Sequence, residues 1–146
     1  YPEDAVERKI PTSFIATVAA AETGNFQFKG APTAMKANNY FGMHATGDQE
    51  FLETTGGAKL RSFPDNKSSI RSFLSLIATD DRYKNVMDST DKVEEMFKGM
   101  SPYAERKDYV NFLSSVYTDR IKPIIETENM LIPQRKPIMD QMNTLK

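Results

Sequence analysis

The sequence has no cysteine and no tryptophan, and it contains a single histidine, His44. The absence of cysteine excludes disulfides, thiolate metal sites and cysteine nucleophiles. One histidine cannot by itself supply a zinc site, so we expect neither a metal nor a cofactor and assign His44 no role. Any catalysis by this chain must therefore use mainly carboxylates, hydroxyls and tyrosines.

A surplus of charge is also missing, since 19 Lys and Arg stand against 20 Asp and Glu. Binding to a phosphate backbone needs clustered cations, so nucleic acid is not an expected partner. No apolar run approaches the roughly 20 residues that cross a bilayer, and we expect no membrane span. The first residues, Tyr1-Pro2-Glu3-Asp4, lack an initiator Met and do not resemble a signal peptide. We expect a chain that was processed, trimmed or excised from a longer protein.

What is present is a chain of 146 residues with 39% hydrophobic content, which is typical of one compact domain. Apolar residues at helical spacing predict four helices. These begin near Thr12 or Ser13, at Asn66 to Ser68, at Ser89 or Thr90, and at Lys107. The first ends at Thr23 before Gly24, and we expect a side-chain hydroxyl to cap its start. The last extends to Ile121, and Pro123 predicts a break or a kink.

Between the first two helices, two short alternating runs flank Gly56-Gly57 and predict a β-hairpin over residues 49–63. Residues 132–146 contain Pro and Met with weak helical periodicity, which predicts a tail that docks on the domain or on a partner. The fold class is therefore α+β and predominantly helical.

One carboxylate interrupts the apolar stripe of the first helix. Glu22 follows Ile15 by seven residues and Val18 by four, so it lies on the same face as these apolar residues. Burial and the negative end of the helix dipole would both raise the pKa of Glu22 toward that of a general acid. The spacing alone leaves open a Glu that bends out to solvent.

Four segments resemble a known family when they are taken together. They are Ile10-Pro11-Thr12-Ser13-Phe14 leading to Glu22-Thr23-Gly24, Asn38-Asn39-Tyr40-Phe41-Gly42-Met43, Leu60-Arg61-Ser62-Phe63-Pro64 with Ser69-Ile70, and Ser101-Pro102-Tyr103-Ala104-Glu105-Arg106-Lys107-Asp108-Tyr109. In order, they are similar to the catalytic helix and three later motifs of bacterial glucosaminidases of the flagellar-hydrolase and autolysin type. This is glycoside hydrolase family 73, including its Bax-like branch. The chain departs from the family in having no Trp after Glu22.

The resemblance implies a lysozyme-like, two-lobed domain over residues 1–122, with residues 123–146 as a C-terminal tail or docking segment. It also implies cleavage of a β-1,4 bond next to an N-acetylated sugar of peptidoglycan, in the manner of an endo-β-N-acetylglucosaminidase. By the same resemblance, Glu22 is the general acid and Tyr103 acts near the reacting sugar. Substrate contacts are expected from Asn39, Tyr40, Phe41 and Tyr109, and a place in the core is equally open for Phe41.

The second catalytic group is left open by the sequence. The hairpin offers Asp48, Glu50 and Glu53. Glu50 and Glu53 alternate to opposite faces of the strand, so they cannot both face a groove, and we favour Glu53. The acetamido group of the substrate is the other candidate, and it requires no second protein carboxylate.

Two further functions remain compatible with the sequence. One is a lytic transglycosylase, which also uses one buried Glu. The other is a non-catalytic module that binds cell walls or belongs to a phage tail or secretion assembly. All these readings place the protein in the periplasm, the cell envelope, the extracellular space or a virion.

Overall fold

The structure is a computed structural model that describes residues 9–144. The first four residues, Tyr1-Pro2-Glu3-Asp4, lie outside the described residues. So do the start of the domain predicted for residues 1–122 and the end of the tail predicted for residues 123–146. In chain order the elements are α1 (Thr12–Thr23), α2 (Pro32–Lys36), β1 (Phe51–Glu53), β2 (Lys59–Arg61), α3 (Asn66–Thr79), α4 (Lys84–Met87), α5 (Val93–Lys98), α6 (Tyr109–Val116) and α7 (Lys122–Thr144). Short 3₁₀ turns lie at Asp81–Tyr83 and Ser101–Tyr103, and a π-helical turn spans Tyr117–Ile121. The predicted α+β, predominantly helical class is confirmed.

The first helix, α1, has the predicted bounds. Its alanine-rich middle favours the helix, and Gly24 ends it in the left-handed region at φ 59°. The predicted hydroxyl cap is wrong, because Pro11 precedes the helix and no side chain caps the first turn. Pro11 instead fixes the entry of the chain, and its carbonyl accepts the first helical hydrogen bond from Phe14 N at 3.0 Å.

The second predicted helix corresponds to α3. Asp65 caps it by accepting a hydrogen bond from Ser68 N at 2.8 Å, which satisfies a backbone donor that the first turn leaves free. Its buried side chains include Phe73, Leu74 and Ile77, as the spacing predicts.

The later helices differ from the prediction at their ends. Lys92 precedes α5, so neither Ser89 nor Thr90 caps it. The helix predicted for residues 107–121 begins at Tyr109 as α6 and widens into the π turn. Pro123 does not break the helix. The π turn that ends at Ile121 changes the hydrogen-bond register shortly before it, and helical structure continues into α7.

The predicted hairpin is confirmed, with β1 and β2 antiparallel and Leu52 opposite Leu60. The turn closes through Thr54, whose N–H donates to Ala58 O at 2.8 Å. A further segment pairs with the other edge of β2, since Arg61 N donates to Met43 O at 2.9 Å. The β2 strand is therefore held on both sides, whereas β1 is exposed along its length.

The hydrophobic core is centred on aromatic rings. Phe41 stacks on Phe73 with 4.2 Å between ring centroids, and the ring centroid of Phe14 lies 6.3 Å from that of Phe73. Phe97 stacks on Phe14 in turn, at 5.8 Å. Because removing one buried Phe side chain costs about 3–5 kcal/mol, these contacts fix α1 and α3 relative to the segment that contains Phe41.

The C-terminal helix α7 has a different environment. None of its described residues is buried, so the predicted docking of the tail on the domain is not seen. Apolar side chains such as Met130 and Met142 are exposed on it. Within residues 9–144, no helix combines the length and hydrophobicity that crossing a membrane requires.

Candidate active site

A groove of about 810 Å³ runs between the helices and the hairpin lobe. Its walls include the end of α1, the loop that leads to the hairpin, one face of α3, and the segment before α6. Its lining residues are Glu22, Gly42, Met43, His44, Thr46, Gln49, Arg61, Ser72, Ser75, Leu76, Thr79, Arg82, Tyr83, Pro102, Tyr103, Ala104 and Glu105.

Glu22 lines this groove from the last turn of α1. Its side chain is largely buried, and burial raises its pKa above the usual 4.5. The hydroxyl of Tyr109 donates a hydrogen bond to Glu22 Oε1 at 2.7 Å, which offsets part of this rise in pKa. The structure thus places Glu22 facing inward, as its spacing predicts, with one carboxylate oxygen held by the protein.

Gly42 lies near the other oxygen of this carboxylate, Oε2. A Cβ at this position would lie 3.0 Å from Glu22 Oε2, closer than side chains normally pack. Gly42 also has a φ of 63°, which residues other than glycine rarely adopt. Glycine is therefore required here twice, by the backbone conformation and by the space that the acid occupies.

The three residues before Gly42 are not among those that line the groove, so the predicted wall positions of Asn39 and Tyr40 are not seen and Phe41 takes the core position that the sequence left open. Asn39 is only 1% exposed, and its amide bridges the loop to β2 by donating to Met43 O at 2.8 Å and Arg61 O at 3.0 Å. Phe41 is fully buried in the core. Tyr40 packs beside the ring of Phe28, with centroids 5.3 Å apart. Buried polar groups need partners, and Asn39 meets this need by shaping the loop rather than by contacting a ligand.

The two predicted tyrosines have separate positions. Tyr103 lines the groove, and its hydroxyl donates to Phe41 O. Burial, Glu22 and Tyr83 together raise the pKa of Tyr103 well above its usual value, so it stays protonated. Tyr109 is 3% exposed and lies behind Glu22, not in the groove wall. The predicted substrate contact of Tyr109 is therefore replaced by a contact with the acid.

The hairpin carboxylates do not reach the groove. Glu53 is exposed and lies opposite Lys59 in the β1–β2 register. Asp48 and Glu50 are also exposed and are absent from the lining. Of the residues that line the groove, only Glu22 and Glu105 carry a carboxylate. The structure therefore does not bring Glu53, favoured from the sequence, to the site.

Sequence reasoning missed much of the helical wall. Ser72, Ser75, Leu76 and Thr79 line the groove from α3. They recur at i, i+3, i+4 and i+7, which is the same periodicity that identifies a buried face. This second stripe of α3, in which three of the four residues carry a hydroxyl, is the signal in the sequence that could identify the helical wall. Nothing comparable in the sequence indicates that Arg61, Arg82 and Tyr83 also reach the groove.

Comparisons with known proteins agree with this architecture. The glycoside hydrolase domain of FlgJ from Salmonella typhimurium superposes with a TM-score of 0.65 and 20% identity, covering 96% of this chain and 92% of that chain. A peptidoglycan hydrolase from Sphingomonas sp. A1 superposes with a TM-score of 0.65 and 19% identity, covering 81% and 82%. These similarities confirm the predicted fold. No curated protein matches the chain by sequence.

The family assignment comes from sequence. A family model named Glucosaminidase, described as mannosyl-glycoprotein endo-beta-N-acetylglucosaminidase, matches residues 1–128. This range contains every residue that lines the groove. The chain belongs to the glucosaminidase family of glycoside hydrolases.

Proposed function

We propose that this protein is a peptidoglycan hydrolase that cleaves a β-1,4 bond next to an N-acetylated sugar, with Glu22 as the general acid. The observation that carries the proposal is the Glu22 carboxyl group, largely buried at the groove with a raised pKa. Membership of the glucosaminidase family supports the bond type. The structural similarity to a peptidoglycan hydrolase from Sphingomonas sp. A1 supports the polymer.

In this mechanism, Glu22 protonates the glycosidic oxygen as the bond to the leaving sugar breaks. Desolvation keeps the acid protonated at a higher pH than a solvated Glu. Once the proton has left, the Tyr109 hydroxyl still donates to Oε1 and stabilises the carboxylate that remains. Tyr109 is thus a positioning residue, and Gly42 leaves room for the second oxygen.

For the second group, we propose the acetamido group of the substrate. Its carbonyl oxygen attacks the anomeric carbon as the leaving oxygen takes the proton from Glu22, and water then opens the cyclic intermediate. The absence of the hairpin carboxylates from the groove lining supports this choice over Glu53. Tyr103 donates its own proton to Phe41 O, so its lone pair is available to accept the acetamido N–H.

The catalytic unit that we propose spans residues 1–122, with residues 123–146 as an accessory segment. Burial supports this division, since Ile121 is buried and α7 has no buried residue. A peptidoglycan substrate also implies action outside the cytoplasm, in the cell envelope, in the extracellular space or from a virion.

The test is the clearing of purified cell-wall suspensions by wild type and by Glu22→Gln, with mass spectrometry of the fragments. We expect clearing by wild type, N-acetylglucosamine at the new reducing ends, and loss of clearing in the variant. Anhydro-muramyl ends would show a lytic transglycosylase instead. Equal, negligible clearing by both proteins, with binding retained, would show a non-catalytic wall-binding module.

A further inference from the structure

Arg61 lies on the hairpin side of the groove, and contacts hold both its backbone and its side chain. Its N–H donates to Met43 O at 2.9 Å, and its carbonyl accepts from the buried amide of Asn39 at 3.0 Å. The guanidinium lies 4.7 Å above the ring of Phe63, which is buried. Both the backbone and the side chain of Arg61 are therefore positioned before any ligand binds.

The charge of Arg61 is not neutralised by a neighbouring acid among residues 9–144. The second arginine of the groove differs, because Arg82 is bidentate to Asp80 through bonds of 3.1 and 3.0 Å. A guanidinium stacked on an aromatic ring keeps its donor groups free at the edge, in the planar arrangement that suits a carboxylate. Arg61 is the groove cation with this capacity unused.

Arg61 is also close to the proposed catalytic centre. Its hydrogen-bonded neighbour Met43 follows Gly42, where an added Cβ would lie 3.0 Å from Glu22 Oε2. The pKa of Glu22 is nevertheless set by burial and by Tyr109. The position of Arg61 therefore suits contact with a ligand in the groove, and adjusting the acid is not its role.

We propose that Arg61 is a specificity residue that binds a carboxylate of the glycan substrate, one subsite away from the bond that is cleaved. This inference rests on the proposed function. Peptidoglycan offers such a carboxylate from two sources, the free lactyl group of a muramic acid without peptide, or the stem peptide. A polymer of N-acetylglucosamine alone offers none.

The experiment measures equilibrium binding to three glycan strands, in a Glu22→Gln background that prevents cleavage. The first strand is stripped of peptides and bears free lactyl carboxylates, and the second is the same strand after its carboxylates are converted to methylamides. The third keeps its peptides, so its carboxylates belong to the stems. Arg61→Gln is compared with Arg61→Lys and with Arg120→Gln, an exposed arginine outside the groove lining.

We expect Arg61→Gln to weaken binding about tenfold to the first or the third strand, with no change for the methylamide strand. Loss on the first strand identifies the lactyl group, and loss on the third identifies the stem peptide. Arg61→Lys should recover part of the affinity, because it keeps the charge without the planar fork. In the active enzyme, Arg61→Gln should raise KM without changing kcat or its pH profile.

Three results would overturn this inference. They are an equal loss on the methylamide strand, unchanged binding to both carboxylate strands, and an equal effect of Arg120→Gln. A parent protein that binds none of the strands would instead overturn the proposed function, and this inference with it. Binding of the parent therefore separates the two failures.

Discussion

The two sides of the groove differ in how their side chains are fixed. On the helical side, Glu22 extends from a helix whose apolar face, with Phe14 and Val18, is buried in the core, and buried Tyr109 holds its carboxylate. On the opposite side, β1 is exposed throughout, and Glu53 at its end does not reach the groove. A helix anchored by a buried stripe has one orientation, so its spacing shows where each side chain lies. A strand exposed on both faces has no buried side, so its sequence does not show which of its side chains face the groove.

The largest expected effect is on kcat, and it separates a carboxylate on the helical side from one on the hairpin side. Glu22→Gln should lower kcat on cell walls about 10²- to 10⁴-fold, because it removes the acid without changing the size of the side chain. Glu53→Gln should leave kcat within about twofold of wild type, a small effect expected of an exposed charge outside the site. The measurement is the initial rate of reducing-end release. A loss of a hundredfold in Glu53→Gln would reverse the comparison.

The space around the acid gives the next largest effect. Gly42→Ala should lower kcat about 10- to 100-fold, because a Cβ 3.0 Å from Glu22 Oε2 displaces the carboxylate. Gly47→Ala is the matched control, since Gly47 has a φ of 57° but no atom within 4 Å of the added Cβ. Both variants carry the backbone strain, so both should unfold at a lower temperature. Equal kcat values in the two would show that crowding of Glu22 is unimportant.

A smaller effect comes from the hydroxyl that holds Glu22. Tyr109→Phe should lower kcat about tenfold, the loss typical of one hydrogen bond to a charged group. It should also move the alkaline limb of the pH–rate profile to higher pH, because the lost bond lowers the pKa of Glu22 in wild type. Tyr117→Phe, where the ring packs on Phe97, is the control. A limb that moves to lower pH in Tyr109→Phe would contradict the assignment.

The smallest effect is on stability. Because the pKa of Glu22 is raised in the folded protein, ionisation of Glu22 favours unfolding, and stability is lost as pH rises through the folded-state pKa. Glu22→Gln cannot ionise, so its Tm should exceed that of wild type at pH 8, by about 2–4 °C for each 1 kcal/mol that ionisation of the buried acid costs. The difference should vanish well below pH 4.5, where the acid is protonated in both the folded and the unfolded state. Thermal unfolding at the two pH values checks this, and a constant difference would count against burial as the cause.

The sequence predicts those parts of the molecule whose local pattern is tied to the core. The stripe of Phe73, Leu74 and Ile77 identifies α3, and the position of Glu22 relative to Val18 brings an acid to the groove. The Gly-Gly turn identifies the hairpin. These features depend on residues within about one or two helical turns, or within one turn of the chain.

Other features depend on contacts between distant segments, and the sequence does not show them. Asn39 is of a residue type that often binds ligands. The Arg61 carbonyl to which its amide donates is far along the chain, so the sequence around Asn39 does not reveal this bond. Tyr109 is 87 residues from the acid that it holds. The helix α7 was missed because Pro133 and Pro137 lie within it and its periodicity is weak. Local propensity is a weak guide at such positions.

The ring of Phe73 contacts three segments that build the groove, through Phe14 of the helix that bears Glu22, Phe41 before Gly42, and Tyr103. Because packed interiors transmit strain, a change in the volume of this one side chain shifts both walls at once. Thermostability engineering in this protein should therefore leave residue 73 untouched, since any gain there would be made at the expense of turnover.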